Sequence, residues 1–575
     1  MSVVRPSDLD VGAFSDHPPW EVVPDRLAWR PGTDELRRQT RAQVPGLLRR
    51  RRLPPGRRTR RVVTRMGLAL GAWYLTERRR SREESRAGVS RRLRIAFEQL
   101  GPTYIKLGQI LSSGEGIFPE ELVSEFRLCR DQVPAEPFGT VRRIVEADLK
   151  RPLEAVFSEF RPTPLAAASI AQVHPATLTT GEPVVVKVQR PDVAELVRRD
   201  LSAMSWIAPL LVGRIPVSAL ANPPALVELF AETIVEELDF RLEAANMIDI
   251  ARILAETGQR ALVVPRPHPD LVTRRVLVME RLSGFGWDDA AGMHAAGIDT
   301  KAVVRAGLVA FLEGALLYGV FHGDLHGGNL FVQPDGRVAL LDYGITGRLD
   351  EQRRLAFMRL LVGGTVNDVR AQLAALRDLG ALPLDTDLES VIRDLNLEGP
   401  VKDPTTMTPD ELVGEIRELT KALLAYGARL PKELMLFVKD LLFLDASLAN
   451  LAPDVDLFAE ISYLAQYFAV RHGERILADV GFDPRQAEVD LGGFKASLGI
   501  SADTQALTHR DLEERRELIR RRFEERQQRQ GRRRGPALLG KVGRGLKAAR
   551  HASRRSSRNP GPHTGRHEDR QRGAR

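Results

Sequence analysis

The stretch "FHGDLHGGNLFVQPDGRVALLDYG", residues 321–344, decides the fold of this chain. Its first part is a glycine-rich polar loop in which Asp324 and Asn329 lie five positions apart. The apolar segments "NLFV" and "RVALL" then flank "QPDG", a strong turn signal, so the pattern predicts two short paired strands. The second strand leads to "DYG", whose Asp342 lies thirteen positions after Asn329. The loop and the hairpin are therefore expected to form one unit.

These spacings match the catalytic loop and the metal-binding Asp-Phe-Gly segment of protein kinases. Phosphoryl transfer needs metal ions that neutralise the phosphates and a group that orients the nucleophile. Because Mg²⁺ prefers oxygen ligands, Asn329 and Asp342 are the predicted metal ligands. Asp324 is the predicted catalytic residue, which accepts a hydroxyl proton or orients the acceptor. His322 is expected to brace the loop by hydrogen bonds, and His326 is either a weak general base or an ordinary loop histidine.

A kinase-like site also needs a lysine on a strand, paired with an acidic residue on a helix. The segment "VVVKV" places Lys187 in a buried strand, where an unpaired ammonium would be costly. The stretch "VEELDFRLEAANM" offers Glu236, Asp239 and Glu243 on one face of a predicted helix spanning 225–247. Such a stripe is more often a solvated acidic face, but the need of Lys187 for a partner favours pairing. Spacing alone leaves the choice among the three acids open.

The segment before the lysine strand departs from the standard kinase pattern. A glycine-rich loop should cradle the phosphates here, but the sequence reads "AAASIAQVH". Alanine enters left-handed conformations at a higher cost than glycine. The predicted nucleotide-binding residues of this loop are Ala166, Ala167, Ala168 and Ser169, and the loop is expected to hold a nucleotide differently from a glycine-rich one.

The order of apolar patterns predicts an α+β, two-lobed fold. "PLAAASIAQVHPATLTTGEPVVVKVQRP" (164–191) has two apolar runs around a turn, which is typical of an antiparallel hairpin. Residues 151–284 are assigned to a small-sheet lobe and 285–470 to a helical lobe. A nucleotide cleft is expected at their junction, near Glu280, which is a predicted nucleotide contact.

The remaining segments are assigned by composition and helical pattern. Residues 91–150 are predicted to form a helical extension, and 471–575 helical structure followed by a basic tail. Residues 1–90 are rich in proline and arginine, and are expected to lack a long helix and to be partly disordered.

Composition limits the classes of protein that this chain can belong to. Of the 575 residues, 43% are hydrophobic and 28% charged, which suits folded domains. Cys129 is the single cysteine, so an internal disulfide and a cysteine-based metal cluster are both excluded. The amino-terminal sequence lacks a secretory signal pattern. The apolar runs at 66–75, 306–321 and 433–451 are too short or are interrupted by charges, so no membrane-spanning helix is expected.

The net charge of +9 is concentrated near the two ends. "RRRRLPPGRRTRRVVTR" (49–65) holds nine arginines and no acid, and the carboxy-terminal tail is again rich in arginine. These runs are either solvated ends or contacts with acidic lipid head groups or nucleic acid. "PALLGKVGRGLKAARHA" (536–552) has the pattern of a basic helix that lies on a membrane. Because aromatic residues are scarce there and no nucleic-acid-binding motif is found, lipid is the preferred partner.

Together these motifs resemble the UbiB/AarF/ADCK family of atypical kinases. "AAASIAQVH" resembles its alanine-rich loop, "KLGQ" (106–109) its Lys-x-Gly-Gln motif, and "ELD" (237–239) its Glu-x-Asp motif. "HGDLHGGN" and "DYG" resemble its catalytic and metal loops. Many members continue Ser-Ser-Arg-x-Asp after the first motif, whereas this chain has "SSGEGIF" (112–118).

The resemblance implies a protein kinase-like fold whose amino-terminal helical extension carries the Lys-x-Gly-Gln motif. It implies that Lys187 contacts ATP phosphates and pairs with Glu243, and that Asn329 and Asp342 bind Mg²⁺. It further implies a cap over the active site, at the place where a protein substrate would dock. The implied cap residues are Lys106, Gln109, Glu237 and Asp239.

The resemblance also implies a class of function. The expected activity is ATP hydrolysis or phosphotransfer to a lipid or an isoprenoid-quinone-related molecule, in support of quinone biosynthesis or lipid homeostasis. The protein is expected in the cytoplasm, attached peripherally to a membrane through its basic ends. Three alternatives stay open: a small-molecule kinase of the aminoglycoside or choline type, a protein kinase acting in trans, and a nucleotide-binding scaffold without catalysis.

Overall fold

The structure is a computed structural model. It describes residues 14, 19–49, 56–112, 119–129, 134–211, 223–366, 368–397, 426–428 and 431–486, with scattered positions between 491 and 517. The "SGEGIF" segment at 113–118 and the predicted basic helix at 536–552 lie outside the described residues.

The described residues of the amino-terminal part are mainly helical between positions 33 and 149. Its helices are α1 (Thr33–Leu47), α2 (Gly56–Thr76), α3 (Arg82–Leu100), α4 (Pro102–Ser112), α5 (Glu120–Arg127) and α6 (Phe138–Leu149). The expectation of no long helix within 1–90 is therefore wrong. Val62, Met66 and Trp73 recur at helical spacing and are buried on one side of α2. Arginine has a favourable intrinsic helix propensity, so the arginines between these positions are compatible with a helix whose inner face is buried.

The small lobe is built on one antiparallel sheet. Its strands are β1 (Phe157–Phe160), β2 (Ala166–Ala167), β3 (Ala171–Leu178), β4 (Pro183–Gln189), β6 (Pro267–Val272) and β7 (Val276–Glu280), in the order β1-β3-β4-β7-β6 with β2 on β3. The predicted hairpin is confirmed as β3–β4. Val184, Val186 and Val188 pack on the α6 side of the sheet. Because side chains alternate along a strand, Lys187 faces the opposite side.

Among the described residues, three helices follow β4 and come before β5. They are α7 (Val193–Leu211), α8 (Pro223–Ile234) and α9 (Phe240–Thr257). The single helix predicted over 225–247 is wrong, because Glu236–Leu238 forms a 3-10 turn and Asp239 caps α9 by accepting a hydrogen bond from Arg241 N. Glu236, Asp239 and Glu243 therefore do not share one helix face.

The large lobe holds two small sheets among helices. Strands β5 (Leu262–Val263), β8 (Phe285–Gly286), β10 (Leu330–Val332) and β11 (Val338–Leu340) form one sheet, and β9 (Val320–His322) pairs with β12 (Thr346–Arg348). The predicted hairpin around "QPDG" is confirmed as β10–β11. The helices among its described residues are α10 (Ala290–Ala295), α11 (Thr300–Glu313), α12 (Glu351–Thr365), α13 (Val369–Asp378), α14 (Leu388–Leu395), α15 (Lys432–Leu451) and α16 (Leu457–Val480).

The apolar runs that the sequence singled out in the large lobe form its core. Phe311 of α11 stacks on Phe437 of α15 with ring centroids 4.9 Å apart, and Phe321 packs edge-on against both rings. This core continues without a break into the amino-terminal helices. Within the described part of the chain, every helix is too short or too polar to cross a bilayer.

Candidate active site

Lys187 joins the two lobes through two ion pairs. Its Nζ lies 2.7 Å from Glu243 Oε1 and 3.0 Å from Asp342 Oδ1. Burial alone would lower the pKa of Lys187, but the Asp342 and Glu243 carboxylates raise it, so the ammonium stays charged. Burial raises the pKa of Glu243 to about 7, with help from Asp342 and against the effect of Lys187. The structure thus contains the Lys187–Glu243 pair, whereas Glu236 is paired with Arg41 of α1.

Asp342 has a left-handed backbone with φ 55°. This region costs a non-glycine residue about 1–2 kcal/mol, so the surroundings must hold it. His322 Nε2 lies 2.9 Å from Asp342 O and 3.1 Å from Leu341 O. Gly344 N donates to Asp342 Oδ1 at 3.2 Å, and Asn246 Nδ2 donates to the next carbonyl, Tyr343 O, at 2.8 Å. These bonds aim the Asp342 carboxylate at Lys187.

His322 is a neutral brace between the two loops. Its Nδ1 accepts a hydrogen bond from Asp324 N at 3.1 Å, so Nε2 carries the proton that the carbonyls of Leu341 and Asp342 accept. Burial lowers the pKa of His322 to about 4. The imidazole therefore braces its loop by hydrogen bonds, as the sequence predicted, and it also ties that loop to the Asp342 turn.

Asp324 lies between two lysines. Lys439 Nζ of α15 is 2.5 Å from Asp324 Oδ1, and Lys106 Nζ of α4 is 3.9 Å from Asp324 Oδ2. Burial alone would raise the pKa of Asp324, but Lys439 and then Lys106 hold it well below its usual value. Asn329 Nδ2 donates to Asp324 O at 3.0 Å. The carboxylate is therefore ionised and fixed in place from both sides.

The predicted cap residues divide into two groups. Lys106 Nζ is 3.1 Å from Glu237 Oε1, so α4 is held directly over Asp324. Gln109 lies about one turn further along α4 and is half-buried. Asp239 takes another role, because its carboxylate caps α9 and binds the Arg241 guanidinium at 2.7 Å. The structure therefore brings Lys106 and Glu237 to Asp324, the predicted catalytic residue, whereas the Asp239 carboxylate is engaged by Arg241.

The alanine-rich loop is fastened to the small lobe. Ala166 and Ala167 pair with β3 as strand β2, Ala168 N donates to Ala171 O at 2.9 Å, and Ser169 is buried. None of these four residues has a positive φ. Arg190 Nε donates to Ala168 O at 3.0 Å. The loop therefore needs no left-handed turn, which removes the cost that alanine would have carried there.

Glu280 ends β7 at the junction of the lobes. Its Oε2 accepts a hydrogen bond from Arg266 N at 3.3 Å and lies 3.7 Å from the Arg266 guanidinium. That guanidinium lies 4.9 Å from the ring centroid of Phe14, and both side chains are fully buried. The carboxylate is thus engaged by Arg266, and its predicted nucleotide contact stays a prediction.

Sequence reasoning missed two charged residues of α15 that support the catalytic loop. Lys439 Nζ contacts Gly323 O at 3.1 Å as well as Asp324, and Asp440 Oδ1 accepts from Leu325 N at 3.0 Å. Burial raises the pKa of Asp440 well above its usual value. The available signal was the adjacent Lys and Asp inside the apolar run at 433–451, since buried charges need partners.

Comparison with known proteins establishes the family. The family model described as the ABC1 atypical kinase-like domain matches residues 128–375. A relative named probable protein kinase UbiB, from Aeromonas hydrophila, is 33% identical over 386 residues, which are 65% of this chain and 70% of that protein. The chain belongs to the UbiB/AarF/ADCK family of atypical kinases. Its fold is accordingly a two-lobed, protein kinase-like α+β fold with an amino-terminal helical extension.

Other relatives within the family are similar over the same share of the chain. An uncharacterized protein of Mycobacterium tuberculosis is 37% identical, covering 66% of this chain and 78% of that protein. A chloroplastic aarF domain-containing protein kinase of Arabidopsis thaliana is 31% identical, covering 64% and 73%. Among solved structures, the complex of Rv3197 with erythromycin from Mycobacterium tuberculosis is 23% identical with a TM-score of 0.34, covering 60% of this chain and 91% of that one.

Proposed function

We propose that this UbiB-family protein binds Mg-ATP and uses it to phosphorylate a small lipid-related molecule, or hydrolyses it, at a membrane surface. The observation that carries the proposal is the position of Lys187, bonded at once to Glu243 and Asp342. A buried lysine that bridges a helix glutamate and the metal-loop aspartate is the arrangement that places a cation on nucleotide phosphates.

The residues at the site fit a magnesium ion. Asp342 offers a carboxylate, and Asn329 offers its amide oxygen because its Nδ2 already donates to Asp324 O. Among the described residues, no group of three or more acidic, histidine or cysteine side chains converges as a metal cage. Two protein ligands suit Mg²⁺, which usually completes its shell with phosphates and water. When bound, the ion would neutralise phosphate charge.

The protein groups then supply positioning and electrostatics. Lys187 offers an ammonium to the phosphates while Glu243 holds its direction. Asp324 is kept ionised by Lys439 and Lys106, so it can orient an acceptor hydroxyl or a water molecule by accepting its hydrogen bond. His322 keeps the two loops in register without changing charge near neutral pH, because its pKa lies at about 4.

The cap supports a small acceptor over a protein acceptor. Lys106 reaches from α4 to within 3.9 Å of Asp324, so the amino-terminal extension stands where an acceptor must approach. A folded protein substrate would have to displace the buried Lys106–Glu237 pair. A lipid or an isoprenoid-quinone-related molecule is therefore the proposed acceptor class, and quinone biosynthesis or lipid homeostasis the proposed setting.

The test is Mg²⁺-dependent ATP hydrolysis by the full chain, with and without anionic liposomes. Asp342→Asn removes the predicted ligand's charge and should reduce turnover by about a hundredfold or more. Asp335→Asn is the matched control, because Asp335 lies in the exposed turn of the same β10–β11 hairpin and pairs only locally with Arg337. Unchanged Mg²⁺-dependent turnover in Asp342→Asn would overturn the assignment.

A second candidate function is a nucleotide-binding scaffold without turnover. It is favoured by the surroundings of Asp324. Each of the two carboxylate oxygens faces a lysine, so both oxygens are already engaged in ion pairs. Tight Mg-ATP binding with no hydrolysis, with or without liposomes and candidate acceptors, would support the scaffold and direct the search to partner proteins.

A further inference from the structure

Within the described part of the chain, helix α2 exposes an apolar stripe on the outside of the helical extension. Leu68 is 63% exposed, Leu75 is 83% exposed, and Tyr74 is more than half exposed. These residues belong to the ten-residue apolar run at 66–75, of which only part is buried in the core.

The geometry of α2 explains this division. Val62, Met66 and Trp73 are buried against the neighbouring helices, so they define the inner face. Leu68 and Leu75 are seven positions apart and lie on the opposite side of the helix. Between them at helical spacing are Gly71, which has no side chain, and Ala72, which has only a methyl group. The outer face is therefore a continuous apolar strip about two turns long.

Positive charge stands at both ends of this strip. Arg57, Arg60, Arg61 and Arg65 are exposed on the first half of α2, and Arg78, Arg79 and Arg80 are exposed just beyond its end. Helix α2 itself contains no acidic residue. The next acid, Glu77, is buried and paired with Arg91 and Arg92. An apolar strip flanked by exposed arginines is the pattern of a helix that lies in a bilayer interface.

We infer that the outer face of α2 docks the protein onto an anionic lipid bilayer, with the helix parallel to the surface. Leu68, Tyr74 and Leu75 would enter the acyl boundary, and the flanking arginines would contact acidic head groups. This inference rests on the proposed function only for the location of the protein at a membrane. Docking itself needs neither ATP nor turnover.

A second copy of the chain fits this face less well. A symmetric contact would place the same patch on both partners, so the arginines that flank the strip would come close to their own copies. Like charges brought together in this way oppose association, whereas an acidic lipid surface attracts every one of them. Charge complementarity therefore selects the bilayer.

The position of α2 links docking to the active site. Val62 and Met66 on its inner face line an apolar cavity of about 110 Å³ together with Tyr104 and Leu107 of α4. Helix α4 carries Lys106, which caps Asp324. A bilayer on the outer face of α2 would thus lie on the other side of this helix from the cavity that α2 shares with the cap helix α4.

A site-specific fluorescent label tests the inference in the full chain. Cys129 is the only cysteine and is buried, so an environment-sensitive dye can be attached selectively to Leu75→Cys. Val470→Cys is the matched control, because Val470 is 79% exposed on helix α16. With vesicles of phosphatidylcholine and phosphatidylglycerol, we expect a blue shift and protection from a soluble quencher at position 75 but not at 470.

A charge-insertion pair provides a second readout. Leu68→Glu with Leu75→Glu should lower partitioning onto the same vesicles about tenfold, while Leu384→Glu with Val470→Glu, at two other highly exposed sites, should leave it unchanged. ATP turnover without vesicles should be the same in both double variants and in the unchanged protein, which separates docking from catalysis. Vesicle binding without a shift at position 75, equal binding to phosphatidylcholine alone, absence of binding, or a concentration-dependent shift without vesicles would each overturn the inference.

Discussion

The ammonium of Lys439 lies 2.5 Å from the catalytic-loop carboxylate of Asp324, although 115 positions separate the two residues. It also contacts Gly323 O at 3.1 Å, so it holds the backbone and the side chain of the loop together. Helix α15 is thereby a structural part of the site. The contact makes Lys439 a positioning residue for Asp324.

Replacing Lys439 should change the pH dependence of turnover. Lys439 has the largest effect in holding the pKa of Asp324 below its usual value, so Lys439→Met should raise that pKa. If ionised Asp324 is required, the acid limb of the pH–rate profile moves to higher pH. Lys432→Met, on the same helix but bonded to Glu232 O, is the control. An acid limb that stays in place would remove the proposed role.

Lys187→Met should lower both stability and Mg-ATP affinity. It leaves the buried Glu243 carboxylate facing Asp342 without a cation, and breaking such a buried pair costs about 3 kcal/mol. The double variant Lys187→Met with Glu243→Leu should recover most of the unfolding midpoint, because it removes the stranded charge. Nucleotide binding, measured by calorimetry, should stay lost in both. Recovery of binding in the double variant would contradict the phosphate role of Lys187.

Lys106→Met tests the cap. Glu237 would lose its ion pair, and Asp324 one of its two lysines, so access to the site and nucleotide selectivity should both change. We expect a shift in ATP preference over GTP or the onset of autophosphorylation, each measured with purified protein. Lys301→Met, on the large lobe, serves as control, since Lys301 pairs with Glu460 away from the site. If neither property changes, Lys106 is only structural.

We expect His322 to make the free energy of unfolding fall at acidic pH. Its folded-state pKa of about 4 lies below its usual value of 6.5. Between these two pH values the unfolded chain therefore binds a proton that the folded chain does not bind. The contribution of neutral His322 to the free energy of unfolding is complete above about pH 6.5. It is lost as the pH falls towards 4, with a slope of about 1.4 kcal/mol per pH unit. His322→Asn should unfold more easily at neutral pH but depend less steeply on pH. Parallel pH profiles of the unfolding midpoint would contradict this.

Local pattern alone determined much of the catalytic region. The "QPDG" turn and its apolar flanks predicted β10–β11, and the spacing of Asp324, Asn329 and Asp342 predicted a catalytic loop and a metal loop of the kinase type. The apolar alternation around Lys187 predicted its strand. Turn chemistry and strand alternation act over a few residues, so one short window of sequence contains the information they need.

Only the tertiary structure decided which charges meet. Spacing left three acids as partners for Lys187, and the fold selected Glu243 because Asp239 stops one helix and caps the next. It also brought Lys439 to Asp324 and left Leu75 of α2 outside the core. Burial of an ionic group depends on elements that are distant in sequence and adjacent in space. A helical pattern shows which residues lie on the same face of a helix. Only packing shows whether other elements cover that face.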